Sequence, residues 1–335
     1  MKKDIKKIAI VRLSALGDII NSAVVLQFIK RYYPDIEIDW ICEEAFSPLL
    51  KGHSLLRNVH SVNIKALKKS RSFKELIATL KYLKNLDSYD LVIDMQGLIK
   101  SAVVARVVSE NVHGFDKNSS REGLSALLYK TTSKIGYEQN IVQRNTFVVA
   151  DALGFNITDE MLLDKEAVFA SVPYKLQQKR KNIALVVGAS WASKIYPKEK
   201  VRALCESLEE QFYVLWGSPK EYEDATYIAQ GLENVEVAPK LSLDELVNYI
   251  SSMDLVIGND TGPTHLAWAQ NIPSITLFGP TSTRMIYETP QNIGIESSSK
   301  VDIFHIDKED FSIVEIQPQQ IVKEARKLLS MGERV

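Results

Sequence analysis

Asp18 closes the segment Arg12-Leu13-Ser14-Ala15-Leu16-Gly17-Asp18, which leaves an apolar run and enters a helix near Ile19. A carboxylate in that place caps the helix or complements its dipole. If it faces a cleft and is partly desolvated, it can instead take a proton from an attacking hydroxyl as a general base. A denser group is Gly258-Asn259-Asp260-Thr261-Gly262-Pro263-Thr264-His265, again between an apolar run and a helix. Small polar residues, glycines and an early proline there describe an anion cradle, in which free N–H groups of the first helical turn meet a phosphate and His265 donates to it. The plainer alternative is a capped turn with Asp260 or Thr261 at the N-cap.

Gly188-Ala189-Ser190-Trp191-Ala192-Ser193-Lys194 leaves another apolar run and leads to a helix at Pro197. Lys194 is either a solvated loop lysine or the charge that neutralises a diphosphate leaving group. In Trp216-Gly217-Ser218-Pro219-Lys220-Glu221, the carboxylate either accepts from ribose hydroxyls or is a first-turn helix acid. Asp94-Met95-Gln96-Gly97-Leu98-Ile99-Lys100 and His113-Gly114-Phe115-Asp116 each read as following a strand in the first half of the chain. The stretch 65–84 holds seven bases against the single acid Glu75, which means a solvated helix face or a dock for a polyanion or an anionic lipid surface.

What must position these residues is a set of parallel strands. Nine short runs rich in Ile and Val, at 7–13, 36–42, 59–64, 91–95, 183–188, 212–216, 235–238, 255–258 and 274–278, alternate with helix-length amphipathic stretches. Continuous apolar runs of this kind are strands buried on both faces, so the fold class is α/β and doubly wound. The rhythm breaks between about Gly154 and Arg180, which predicts a linker there and two Rossmann-like domains facing across a cleft, at 1–165 and 166–316. Residues 317–335 carry Ile321, Val322, Ala325, Leu328 and Leu329 on one face and predict a closing amphipathic helix that packs back toward the first domain. In open parallel sheets ligands collect beyond the carboxyl ends of the strands, where all the segments above lie.

Composition narrows the classes. With 335 residues, 45% of them apolar, and a formal charge of -1, this is an ordinary folded chain without the overall basicity of a nucleic-acid binder. Cys42 and Cys205 have no paired spacing, so neither a disulfide framework nor a zinc site is expected, and the implied compartment is reducing, that is, cytoplasmic. No run approaches the ~20 apolar residues of a membrane span. No two glycines are two apart, and neither a P-loop nor a GxSxG elbow occurs, which argues against dinucleotide, P-loop and Ser-hydrolase chemistry. No Asp-x-Asp or HExxH occurs either, so neither a metal nor another cofactor is expected.

Taken in order, Arg12 to Asp18, Asp39-Trp40, Asp94 to Ala102, His113 to Asp116, Arg121-Glu122, Lys194 with Pro197, Trp216 to Pro219, Pro239 to Leu243, Asn259 to Leu266 and Phe278 to Thr281 resemble the bacterial lipopolysaccharide heptosyltransferases of glycosyltransferase family 9, most closely the type I branch. The resemblance covers nearly the whole chain. It implies a GT-B fold and inverting, metal-independent transfer of L-glycero-D-manno-heptose from ADP-heptose to a Kdo sugar of Kdo-lipid A, at the inner face of the bacterial inner membrane. Asp18 then takes the place of the general base. Ala189, Ser190, Lys194, Glu221, Leu241, Asp260, Thr261, Gly262 and His265 fall on donor-binding positions. The family often carries threonines at the first two, so a hydroxyl contact there falls to Ser190. Lys100 and Arg121 fit acceptor positions, with Lys65, Lys68 and Arg71 facing Kdo carboxylates or lipid A phosphates. The alternatives are a heptose acceptor (type II), a non-catalytic nucleotide-binding protein of the same fold, and a sugar-nucleotide epimerase.

Overall fold

The computed structural model describes residues 5–331 except 71, 173 and 178, and Arg71 therefore lies outside the described residues. The chain divides into two compact units, Met1–Lys165 and Glu166–Val335. Each unit is built on a six-stranded parallel sheet. In the first the strands are β1 (Lys7–Val11), β2 (Glu37–Glu43), β3 (Asn58–Val62), β4 (Leu91–Asp94), β5 (Val112–Phe115) and β6 (Thr131–Ser133), in the order β3-β2-β1-β4-β5-β6. In the second they are β7 (Asn182–Val186), β8 (Gln211–Leu215), β9 (Val235–Val237), β10 (Leu255–Asn259), β11 (Ser274–Phe278) and β12 (Asn292–Glu296), in the order β12-β11-β10-β7-β8-β9. Read from the other edge, the second order repeats the first, so both units are Rossmann-like with one winding. In each, the chain reverses direction across the sheet between the first and fourth strands, β1/β4 and β7/β10, the crevice where such sheets bind ligands.

The central strands read as strands because both faces are covered. Ile8 to Val11, Val92, Ile93, Ile183 and Ala184 are almost wholly removed from water. Three strands departed from the expectation or escaped it. His113-Gly114-Phe115 is β5 itself rather than the loop after a strand, because the buried His113 ring sits between the hydroxyls of Thr131 (2.8 Å) and Ser133 (2.7 Å). β6 and β12 are edge strands with little apolar signal.

The expected linker is partly ordered. Gly154 ends the helix Ile141–Leu153 in the left-handed region, at φ 77°, and Thr158 then caps the short helix Asp159–Leu163, which buries Leu162. The C-terminal helix Pro318–Met331 forms, and its apolar face lies in the second unit's core. Ile321, Val322, Ala325, Leu328 and Leu329 belong to the second unit's own core, with Leu204, Ile257 and Leu277. The helix Lys198–Glu206 and strands β10 and β11 present the apolar side chains that the C-terminal helix packs against. Cys42 and Cys205 are both free and buried, and burial pushes each thiol up to about 12. Among the described residues no helix is long and apolar enough to cross a membrane.

Candidate active site

In the first unit the switch point is occupied by a buried cation holding a more open carboxylate. Arg12, one residue beyond β1, is 6% exposed at its side chain, and its Nη2 lies 2.8 Å from Asp18 Oδ1 while Asp18 remains 26% exposed. The other carboxylate oxygen accepts from the Ala15 N–H at 3.0 Å. Asp18 thus sits in the first turn of the helix Leu16–Ala23, fixed from two sides. Arg12 is itself anchored by donating from Nη1 to the Met95 carbonyl just beyond β4. Gln96 ties the two loops together, accepting from the Leu13 N–H at 2.9 Å and donating to Ser14 Oγ at 3.3 Å. Lys100, on the helix Ile99–Val108, also donates to Ser14 Oγ, at 3.2 Å.

Two carboxylates outside the predicted set support this loop cluster. Asp94, at the end of β4, is completely buried, and burial pushes it upward against hydrogen bonds from Tyr129 Oη (2.7 Å), the Gln96 N–H (2.8 Å) and Ser101 Oγ (2.8 Å). Tyr129 can approach only because position 114 is glycine, since a Cβ there would lie 2.5 Å from its ring. Glu43, at the end of β2, is also pushed up by burial, opposed by the N–H groups of Lys65 and Ile64 and by the charge of Lys100. It therefore caps the helix Ile64–Ser70 that carries Lys65 and Lys68, both exposed. Lys68 and Lys100 line one groove. Arg121 is exposed on the loop after β5, outside this group of contacts.

In the second unit the arrangement is reversed. Asp260, just past β10, is 3% exposed, and its Oδ2 accepts from Lys194 Nζ at 2.6 Å and from Thr281 Oγ1 at 2.9 Å, while Oδ1 lies 3.1 Å from His265 Nε2. Burial pushes Asp260 up, but the charge of Lys194 and the His265 hydrogen bond outweigh it and hold the carboxyl well below the usual range. Asp260 is thus spent on positioning Lys194 and His265 and does not cap the helix. Thr261 stands at the N-cap of the helix Gly262–Ala269, yet its side chain makes no capping bond, and Pro263 lies in the first turn. The helix N-terminus is therefore open to an anion, beside Lys194.

The loops that carry these residues are stitched by Asn259, whose Nδ2 donates to Val187 O (3.0 Å) and whose Oδ1 accepts from the Tyr196 N–H (3.1 Å). Gly258 permits this because a Cβ there would lie 2.5 Å from Val186 Cβ on the neighbouring strand. Ala189 is partly buried and Ser190 exposed, both directly after β7. Glu221 is engaged in a capping box, its Oε2 accepting from the N–H groups of Gly217 (2.5 Å) and Ser218 (3.2 Å). Its carboxylate packs where a side chain at Gly188 would stand. Leu241 is partly buried in the loop before the helix Leu243–Ile250.

Sequence reasoning missed Arg12 as the partner of Asp18, Thr281 as a partner of Asp260, and Lys308, whose Nζ lies 4.9 Å from the centre of the Trp191 ring. The signal for Arg12 was present, a lone charge ending an otherwise apolar strand. Lys308 gives no local signal.

Residues 78–302 match the model of glycosyltransferase family 9 (heptosyltransferase). The chain belongs to this family. It is 42% identical to lipopolysaccharide heptosyltransferase 1 of Campylobacter coli over 96% of this chain and 98% of that protein. It is 30% identical to the protein of the same name from Escherichia coli, over 84% of this chain and 90% of that one. Among solved structures, E. coli heptosyltransferase WaaC with ADP-2-deoxy-2-fluoro heptose superposes with a TM-score of 0.79 at 25% identity, covering 96% of this chain and 99% of that one. The protein is accordingly a glycosyltransferase of the GT-B class.

Proposed function

We propose that this enzyme transfers L-glycero-D-manno-heptose from ADP-heptose to a Kdo residue of Kdo-lipid A, with inversion and without a metal, in the assembly of the lipopolysaccharide inner core. Asp18 takes the proton of the attacking Kdo hydroxyl as the new glycosidic bond forms at the anomeric carbon. The bond to ADP breaks on the opposite face, and the diphosphate leaves with the electron pair. Lys194 and the open N-terminus of the helix Gly262–Ala269 meet the negative charge that develops there, the task a metal performs in other transferases. Ala189, Ser190, Glu221, Leu241, Thr261, Gly262 and His265 complete the donor site, while Asp260 acts through Lys194 and His265. Lys65, Lys68, Lys100, Arg71 and Arg121 receive the anionic acceptor, and the enzyme works docked on the cytoplasmic face of the inner membrane.

The observation that carries the reading is the fixed Asp18 carboxylate. It is held by Arg12 and by the Ala15 N–H, yet still open to a substrate. The relatives named lipopolysaccharide heptosyltransferase 1, and the E. coli enzyme solved with ADP-2-deoxy-2-fluoro heptose, support an ADP-heptose donor and a lipopolysaccharide acceptor. The test is ADP release from ADP-heptose and Kdo-lipid A, with and without EDTA. Asp18→Ala should lower turnover ~10²- to 10⁴-fold with ADP affinity unchanged, and EDTA should leave the wild type active. A variant within about tenfold of wild type, or activity abolished by EDTA, sinks the mechanism. Turnover only with a heptose-bearing acceptor would move the enzyme to the type II branch.

A further inference from the structure

An apolar surface that the proposed reaction does not use lies in the first unit. The helix Phe73–Lys84 buries only Leu83 and leaves Phe73, Leu76, Ile77 and Tyr82 in water. Between it and the helices Ile64–Ser70 and Ile99–Val108 runs a groove of about 430 Å³, floored by Leu67, Leu76, Leu80, Val103 and Val107. An exposed apolar concavity of this kind marks a binding surface.

Two further observations fix what it would hold. Its edges are basic: Lys68 and Lys100 line it, and Lys65, Lys69, Lys74, Lys81 and Lys84 stand on the same helices, with Glu75 as the only acid in the stretch. An apolar floor under a cationic rim is complementary to an anionic amphiphile. The groove is also continuous with the Asp18 loop. Lys100, Val103, Val104 and Val107 line it at the spacing of one helix face, so it extends ~10 Å from Lys100 along the axis. At its near end Lys100 donates to Ser14 Oγ (3.2 Å), and the next residue, Ala15, holds Asp18 through its N–H (3.0 Å).

We infer that this groove is an acyl-chain subsite, taking a fatty acyl chain of the lipid-anchored acceptor while the acceptor's sugar lies at Asp18 and its phosphates meet the lysine rim. The inference rests on the proposed acceptor and adds a site to it.

The test compares acylated Kdo-lipid A with its fully deacylated, water-soluble counterpart, binding being measured by calorimetry without donor and turnover by ADP release. The double variant Leu76→Gln, Val103→Gln alters the floor at two half-exposed positions, 42% and 43% exposed, so the fold should survive, as a melting curve would check. It should weaken binding of the acylated acceptor about tenfold and raise its KM in proportion. Binding and turnover of the deacylated acceptor should change less than about twofold. Equal weakening of both acceptors, or of neither, overturns the subsite. So does an equal loss of binding to anionic vesicles lacking the acceptor, which would assign the groove to the bilayer. Wild-type enzyme that binds the acylated acceptor through the groove but releases no ADP would instead overturn the proposed reaction.

Discussion

Replacing Asp260 by Asn tests whether the second unit's anion site is organised by one buried charge. Asp260 is 3% exposed and Lys194 11% at their side chains, with 2.6 Å between the charged atoms. Asn preserves the shape and still accepts from Thr281, but it leaves a largely buried lysine without its counter-charge. Removing one member of a buried pair costs ~3–5 kcal/mol, and the retained neutral hydrogen bonds place the expectation near the lower end, at ~3 kcal/mol. For a unit of this size each kcal/mol moves the midpoint by ~2–4 °C, so the melt should fall by ~6–12 °C. Three of the four tryptophans, Trp191, Trp216 and Trp268, lie in the second unit and Trp40 in the first, so tryptophan fluorescence reports mainly on the second unit.

Because the folded-state carboxyl is held below its ordinary value, its stabilisation is complete above about pH 4 and is lost as pH falls through the folded value. The difference between wild type and variant should therefore shrink as the pH is lowered below about 4. ADP affinity should fall about tenfold as Lys194 loses its anchor, the worth of one misplaced phosphate contact. The decisive control is Asp260→Asn combined with Lys194→Met, in which no charge is left unpaired. That double variant should melt above Asp260→Asn alone. A double variant that melts lower by the sum of the two single effects would refute the reasoning, as would an Asp260→Asn melt within about 2 °C of wild type.

Gly258→Ala should cost ~3 kcal/mol or more, because the new Cβ would stand 2.5 Å from Val186 Cβ and 2.8 Å from its carbonyl oxygen, so strands β7 and β10 must part; a urea midpoint unchanged from wild type would contradict the register. Asp39→Asn should destabilise the first unit by ~3 kcal/mol at pH 7, because this buried carboxylate accepts from Arg57 Nε (2.9 Å), Tyr89 Oη (2.7 Å) and His60 (3.1 Å). Burial raises Asp39, but hydrogen bonds from His60, Arg57 and Tyr89 hold it well below the ordinary range. Its contribution is therefore complete above about pH 4 and is lost progressively as pH falls through the lowered folded-state value, so the gap between the urea midpoints of the two proteins should be smaller at pH 3 than at pH 5.

Most of the fold was legible because central parallel strands have no polar face to hide. Ile8 to Val11, Ile183 to Val186 and Leu255 to Ile257 read as unbroken apolar runs since neighbours and helices cover both sides. Legibility failed where that cover is thin or borrowed. β12 lies on an edge and has half-exposed residues. β5 contains a histidine and a glycine whose burial depends on Thr131, Ser133 and Tyr129, residues 15 or more positions away. The tail helix was legible as amphipathic, but amphipathicity does not name the partner, and the partner was its own unit's core. Among the site residues, those on one loop were readable as a group, such as Asp260 to His265. Pairings made across the sheet, Lys194 with Asp260 and Arg12 with Met95, depend on which strands are neighbours and are invisible without the strand order.

The two units share one strand order and place an ion pair at the same crevice, yet the pairs are inverted. In the first, the cation is buried, 6% exposed, and the carboxylate faces outward at 26%. In the second, the carboxylate is buried at 3% and the lysine is the more open partner at 11%. The buried member of such a pair is committed to its partner and to the backbone, so the group that can act on a ligand is the other one. A buried arginine therefore presents a carboxylate, which in the proposed reaction serves a hydroxyl about to lose its proton. A buried aspartate presents an ammonium and an uncapped helix end, which in the proposed reaction serve an oxygen about to gain negative charge. Attack on a sugar carbon with departure of a diphosphate needs one of each. One fold supplies both without a change of topology, because only the identity of the buried partner decides which charge the crevice offers.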